Sequence, residues 1–191
     1  MPQTDTEIAQ RAADLFQEHG ITATGVDALS RAAGISKRTL YERFGSKDGL
    51  ITAAYDALDL PVFEHVTEPA KRASDTPRGQ LEQLFVSLEA LVSAPDFHGC
   101  PFQSASSELA DRNHAAHAVI RRHKERLRHW IFDRARAAGA ADPDLLSRQL
   151  MLIADGAQSQ AQLERTAGPA RVARDLALAL IDTAIDGPKA Q

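Results

Sequence analysis

The sequence predicts an all-α protein: an N-terminal three-helix domain holding a helix-turn-helix, then a larger helical domain, with about nine helices in total. Three observations predict it. Alanine and leucine dominate while β-branched runs are short, and straight-chain residues lose less rotamer freedom in a helix. Apolar residues recur at helical spacing, with no alternating strand pattern. Capping residues, glycines and prolines punctuate these runs at helix-length intervals.

Thr4-Asp5-Thr6-Glu7 reads as a capping box, followed by Ile8, Ala12, Leu15 and Phe16 at helical spacing and a stop at Gly20. Thr24 and Asp27 repeat the capping logic for a short helix over 27–33, which Gly34 ends. Ile35 is the apolar residue of the turn, and Ser36 caps a third helix over 37–44. A fourth helix carries Leu50, Ile51, Ala54, Tyr55 and Leu58, and Pro61 is expected to kink or end it. The second part begins near Pro69. Thr76-Pro77 opens a helix with Leu81, Leu84, Phe85, Leu88, Leu91 and Val92 on one side, closed by Pro95. Residues 96–101 read as a loop and 104–109 as a short helix. A long helix over 113–138 has Ala116, Ile120, His123, Leu127, Trp130 and Arg134 on one stripe. The last two helices run over 145–164 and 170–185, separated by Gly168-Pro169. There is no internal repeat and no low-complexity tract.

With 191 residues, 43% hydrophobic and 25% charged, the chain can bury a core as one ordinary domain or as a small domain fused to a larger one. The net charge of −4 leaves no global nucleic-acid footprint, so any such role needs a local concentration of cations. Cys100 is the only cysteine, which excludes an internal disulfide framework. There is no secretory n- and h-region, and no run near the roughly 18 apolar residues of a membrane span. A cytoplasmic protein without a membrane partner is expected.

Gly25–Phe44, GVDALSRAAGISKRTLYERF, carries the most information. Two short helices crossing steeply need a tight turn, small residues at the crossing (Ala28, Ala32, Ala33) and an apolar wedge (Leu29, Ile35, Leu40). All occur here in the right order. Between residues 27 and 47, Arg31, Lys37, Arg38, Arg43 and Lys47 oppose only Asp27 and Glu42, a local balance of five against two in a chain that is negative overall. That is the footprint phosphate contact requires. The second helix of such a motif enters the major groove N-terminus first, where Lys37, Arg38 and Thr39 sit. Arg38 can pair bidentately with guanine, and Thr39 can read a thymine or a phosphate. Tyr41 and Lys47 suit phosphate clamping. Thr24, Arg31, Ser36 and Arg43 complete the candidate DNA-binding set.

The run AADLFQEHGITATGVDALSRAAGISKRTLYERFGSKDGL resembles the N-terminal signature of the TetR family of transcriptional regulators. The likeness extends over 8–55: Leu-Phe before Gly20, Thr24-x-Val26-Asp27, Ala33-Gly34-Ile35-Ser36, Thr39-Leu40-Tyr41, Phe44, and Ser46-Lys47. Arg38 departs from it, standing where the family often has a small residue. The resemblance implies a DNA-binding domain over 4–64, with its helix-turn-helix at 25–44, and a ligand-binding and dimerisation domain over 65–191. It implies a homodimer joined through the last two helices, double-stranded operator DNA as partner, and repression relieved by an unidentified small-molecule effector.

Pocket candidates are Phe85, Leu88, Cys100, Phe102, His123 and Trp130. Phe97–Gln103 (FHGCPFQ) is similar to segments that precede a pocket-lining helix in part of that family. Cys100 reads either as a redox- or electrophile-sensing thiol or as a small buried hydrophobe. His114 and His117 lie a turn apart, but nothing nearby completes a ligand set, so no metal and no cofactor is expected. The second basic cluster, Arg121 to Arg128, reads as the solvated face of a long helix, with Glu125 placed to pair with Arg121. Dimer candidates are Leu146, Leu150, Ile153, Gly156, Ala157, Leu176 and Leu180, because neither terminal helix alone can bury its apolar stripe. No nucleophile elbow, HExxH or phosphate-cradling loop is present, so an enzyme is not expected. The alternative from another class is an architectural protein binding DNA without sequence preference.

Overall fold

The structure, a computed structural model, describes residues 3–95 and 97–187. Among these there are nine helices and no strand: α1 (Asp5–His19), α2 (Val26–Ala33), α3 (Lys37–Phe44), α4 (Lys47–Ala73), α5 (Pro77–Val92), α6 (Pro101–Glu108), α7 (Ala116–Ala137), α8 (Pro143–Glu164) and α9 (Gly168–Asp186). They form two compact units. The first gathers the chain up to Val62 with Pro101–His123; the second gathers Phe63–Cys100 with the chain from Lys124 onward.

In the first unit α1 starts on the expected box: Thr4 Oγ1 accepts the Glu7 N–H at 3.2 Å while the Glu7 carboxylate accepts the Thr4 N–H at 2.7 Å. Ile8, Ala9, Ala12, Ala13 and Phe16 are buried, with α2 packed against α1. The N-cap of α2 is Gly25 and makes no side-chain cap, which corrects the expectation for Thr24. Thr24 is buried and its hydroxyl donates to the Gly20 carbonyl at 2.6 Å, so it closes the preceding turn instead. At the other end of α2, Gly34 is left-handed at φ 62°. The Ile35 N–H reaches the Ser30 carbonyl and the Gly34 N–H that of Arg31, each at 3.1 Å, satisfying carbonyls that a helix end leaves open. Ser36 Oγ then accepts the Thr39 N–H at 3.0 Å, and Leu40 is wholly buried.

Gly49, in the first turn of α4, marks a close approach: a Cβ there would overlap the Phe44 carbonyl oxygen at the end of α3. Gly49→Ala should therefore destabilise the protein by about 1–3 kcal/mol through overpacking, despite alanine's higher helix propensity. An unchanged or raised denaturation midpoint would contradict this approach.

The helix α4 does not end at Pro61, nor at Pro69, but runs unbroken over 27 residues from the first unit into the second. An interior proline costs about 3 kcal/mol. Leu50, Ile51, Ala54 and Tyr55 are buried in the first unit, and Thr67 and Ala70 in the second. Burying an aliphatic or aromatic side chain contributes roughly 1.5–3 kcal/mol, so these anchors offset that cost. The first unit is closed by a polar knot between α4 and α7. His123 Nδ1 and Asp59 Oδ1, both buried, lie 3.0 Å apart, and Arg122 Nε donates to Asp59 Oδ2 at 2.9 Å. Phe102 of α6 stacks on the His123 ring at 3.8 Å and meets Tyr55 edge-on at 5.8 Å.

In the second unit α5 and α8 pack on α9 around a core that includes Leu81, Phe85, Ile131, Leu146, Leu150 and Ile181. Asp142 caps α8 by accepting the Leu145 N–H at 2.9 Å, with Pro143 in its first turn. Arg78 of α5 joins Glu82 at 2.8 Å, Asp186 at 2.7 Å and Asp182. Hydrogen bonds from Asp186 and then Glu82 push the Arg78 guanidinium further above its ordinary value.

Candidate nucleic-acid interface

The turn fixed by Gly34 and Ser36 sets α3 against the first unit with Leu40 as its one fully buried side chain, and leaves Lys37, Arg38 and Tyr41 facing outward. Lys37, Arg38 and Tyr41 are exposed, the Arg38 side chain at 88% and Tyr41 at 46%. Lys37 is ion-paired with Asp27 of α2, and that hydrogen bond holds the Asp27 carboxyl below its ordinary value. Arg38 Nε donates to Glu42 one turn on at 2.7 Å. Exposed pairs of this kind are weak and screened by salt, so a phosphate can displace the carboxylate from either cation. The result is a groove-sized helix with exchangeable cations along its first turn, which is what backbone contact with a duplex demands.

Other candidates of the set hold this helix in place. Ser36 is the α3 cap, and its Oγ also lies 2.8 Å from Thr39 Oγ1. Arg43 Nη1 donates to the Gln3 carbonyl at 2.6 Å and to Asp5 at 3.2 Å, tying α3 to the start of α1. Lys47 Nζ donates to the Ile21 carbonyl at 2.8 Å. Arg31 is exposed at the end of α2.

One contributor has no sequence signal. Glu108, the last residue of α6, accepts the backbone N–H of Ile21 at 2.7 Å and of Thr22 at 3.1 Å. The buried Ile21 is thus held from both sides, its N–H by Glu108 and its carbonyl by Lys47.

The pocket candidates fall into different units. Phe85, Leu88, Cys100 and Trp130 belong to the second unit and Phe102 and His123 to the first, and all six are buried. The Lys124 ammonium lies 3.7 Å from Cys100 Sγ and pairs with Asp155 at 2.6 Å. The second basic cluster is engaged within the fold: Arg122 with Asp56 and Asp59, Lys124 with Asp155, and Arg128 with Asp144. Glu125 pairs with Arg128 at 3.0 Å, not with the expected Arg121.

The dimer candidates also divide. Leu146, Leu150 and Ala157 are already buried in the second unit's own core, so they have no surface left for a partner, and this corrects their assignment. Ile153 and Leu180 are partly buried against that core, while Gly156 and Leu176 are exposed. The face of α8 left open is one residue round: Leu145, Leu152, Gly156 and Leu163, spaced seven, four and seven apart and hence on one line of the helix. Leu152 is 74% exposed, and nothing lies within 4 Å of a Cβ built on Gly156. On α9, Val172 and Leu176 are exposed in the same way.

Among the described residues no cluster of three or more His, Cys, Asp or Glu could hold a metal ion, and no helix is long and apolar enough to cross a membrane.

Fold and surface together define a helix-turn-helix DNA-binding regulator. Residues 8–54 match the family described as bacterial regulatory proteins, tetR family. A TetR-type structure from Streptomyces avermitilis is 34% identical, with a TM-score of 0.84 over 96% of this chain and 99% of that one. The chain belongs to the TetR family of transcriptional regulators. A 47-residue match, 43% identical, to the mycofactocin biosynthesis regulator MftR of Mycobacterium tuberculosis covers 25% of this chain and only 24% of that protein. The HTH-type transcriptional repressor Rv3405c of the same organism is 29% identical over 143 residues, 62% of this chain and 72% of that protein.

Proposed function

We propose that the protein is a homodimeric repressor that binds a palindromic operator through α3 and is released by a small molecule, acting in the cytoplasm. The observation that carries this reading is the open first turn of α3, with Lys37, Arg38 and Tyr41 exposed on a helix anchored by buried Leu40. The unpartnered line of Leu145, Leu152, Gly156 and Leu163 supports the second copy. A two-fold axis would set two α3 helices facing one side of the duplex, about 34–36 Å apart in successive major grooves. Ligand that alters this separation weakens operator binding, and by linkage the operator weakens ligand binding by the same factor.

Lys37→Ala should lower operator affinity and reduce the slope of log K against log salt by about 1, because one fewer phosphate is neutralised. Fluorescence anisotropy with labelled duplex across a salt series reads both. An unchanged slope would remove Lys37 from the phosphate contacts. Footprinting tests the whole reading: a regulator protects a discrete symmetric site, whereas an architectural binder protects nothing discrete. A monomer that ignores every duplex at low salt would overturn it.

A further inference from the structure

In the second unit α7 sets an unbonded indole N–H beside a guanidinium that has no carboxylate partner. Trp130 is 6% exposed, and its indole Nε1–H is buried without a hydrogen-bond partner. Buried polar groups are nearly always bonded, so an orphaned donor calls for an explanation. One turn on, the Arg134 guanidinium lies over the Trp130 ring, 4.2 Å from its centroid. Arg134 Nε donates to Gln80 Oε1 of α5 at 3.2 Å and Nη1 to the Trp130 carbonyl at 3.4 Å. Neither acceptor carries charge, and no carboxylate among the described residues forms an ion pair with Arg134, unlike Arg78, Arg122, Arg128 and Arg174. Burial pushes the Arg134 guanidinium below its ordinary value, and Asp133 opposes this only in part. Around Trp130 the core is apolar, with Leu81, Leu84, Phe85 and Leu88 of α5 in the same cluster.

A half-buried cation without an ion-pair partner, beside a buried N–H without an acceptor and against an apolar wall, is chemically complementary to one kind of guest. We propose that Trp130 and Arg134, with Gln80, form the recognition point for an organic anion, a carboxylate carried on an apolar body, and that this is the class of the effector. The carboxylate would take the free guanidinium N–H groups and the indole N–H, and its apolar part would lie against the α5 side chains. Charge-assisted bonds of this type are about twice as strong as neutral ones, so the charge should dominate selectivity. The inference rests on the ligand-released reading above, but its test needs no DNA.

Trp130 is the only tryptophan of the chain, so emission excited beyond the absorption of the two tyrosines reports on this point alone. Octanoate and benzoate would be titrated against octanamide and benzamide, which match them in shape without the charge. We expect a saturable change in emission with at least one acid, at an affinity about tenfold or more above its amide. Arg134→Gln should erase that preference. Arg134→Lys, which keeps the charge without the planar fork, should retain part of it. Circular dichroism establishes that each variant is folded, and the acid-to-amide comparison on the unaltered protein stands without either. Equal affinities for acid and amide, or no saturable change with either acid, would overturn the proposal. Acid that binds while operator affinity stays constant would leave this site standing and remove ligand release instead.

Discussion

Leu152→Glu should leave the isolated chain as stable as before yet abolish the dimer and, with it, tight operator binding. The side chain is 74% exposed, so replacing it should change monomer stability by no more than about 0.5 kcal/mol. In the proposed dimer the same position lies in an apolar seam beside Gly156, where a partner's backbone can come close. A two-fold axis sets two such carboxylates in that seam, where Arg148, four residues back on α8, is already paired with Asp144. Desolvating them should weaken association by about 4 kcal/mol, roughly a thousandfold. Sedimentation velocity should give a monomer at concentrations where the unaltered protein is dimeric, and circular dichroism should show that monomer folded, its midpoint lowered only by the association it has lost. Operator affinity should fall sharply because each head then binds its half-site alone. Leu150→Ala is the contrasting control. Leu150 is wholly buried in the second unit, so this variant should lose about 2–5 kcal/mol of stability. A dimeric Leu152→Glu protein would move the interface off this face.

The contrast between Leu150 and Leu152 also marks where sequence reading ran out. Helix starts and stops were legible because their signals are local: the Thr4–Glu7 box, Gly34 in the left-handed region, and Ser36 on the Thr39 N–H each act within a few residues. The same locality made the bounds of α3 legible, since Lys37 follows directly on the Ser36 cap and Gly45 on Phe44. Orientation was harder. The helix α8 is apolar over more than one face, and periodicity cannot tell which line meets its own core and which stays exposed. Prolines misled for a related reason. Pro61 carries its local penalty, but burial on both sides of it overrides the penalty, and burial is not written at that position. Long-range polar ties left no trace either. Glu108 reads as an ordinary helix-end carboxylate, although its partners Ile21 and Thr22 lie 87 and 86 residues away.

That tie leads to the second large effect. Glu108→Ala should loosen the turn between α1 and α2 and lower both stability and operator affinity. The carboxylate oxygen that accepts the Ile21 and Thr22 N–H groups is replaced by nothing, and the Ile21 N–H is left in a buried setting. An orphaned buried donor costs about 1–3 kcal/mol, so a loss near 2 kcal/mol in unfolding free energy is expected. Glu108→Gln keeps an acceptor oxygen at the same reach without the charge, and should lose only part of this. The turn leads directly into α2, so freeing it gives the α2–α3 pair more orientations to lose on binding, and operator affinity should fall about tenfold. Lys47→Met removes the hold on the other side of the same peptide group, through its carbonyl. The two substitutions should therefore be non-additive, with the double variant less impaired than the sum of the singles. Hydrogen exchange at Ile21 and Thr22 separates this account from a merely global loss. Their amides should lose protection in Glu108→Ala beyond what the fall in overall stability gives, while buried amides of α8 track the global value. Unchanged protection at both amides, with stability within about 0.5 kcal/mol of the parent, would mean the turn holds itself.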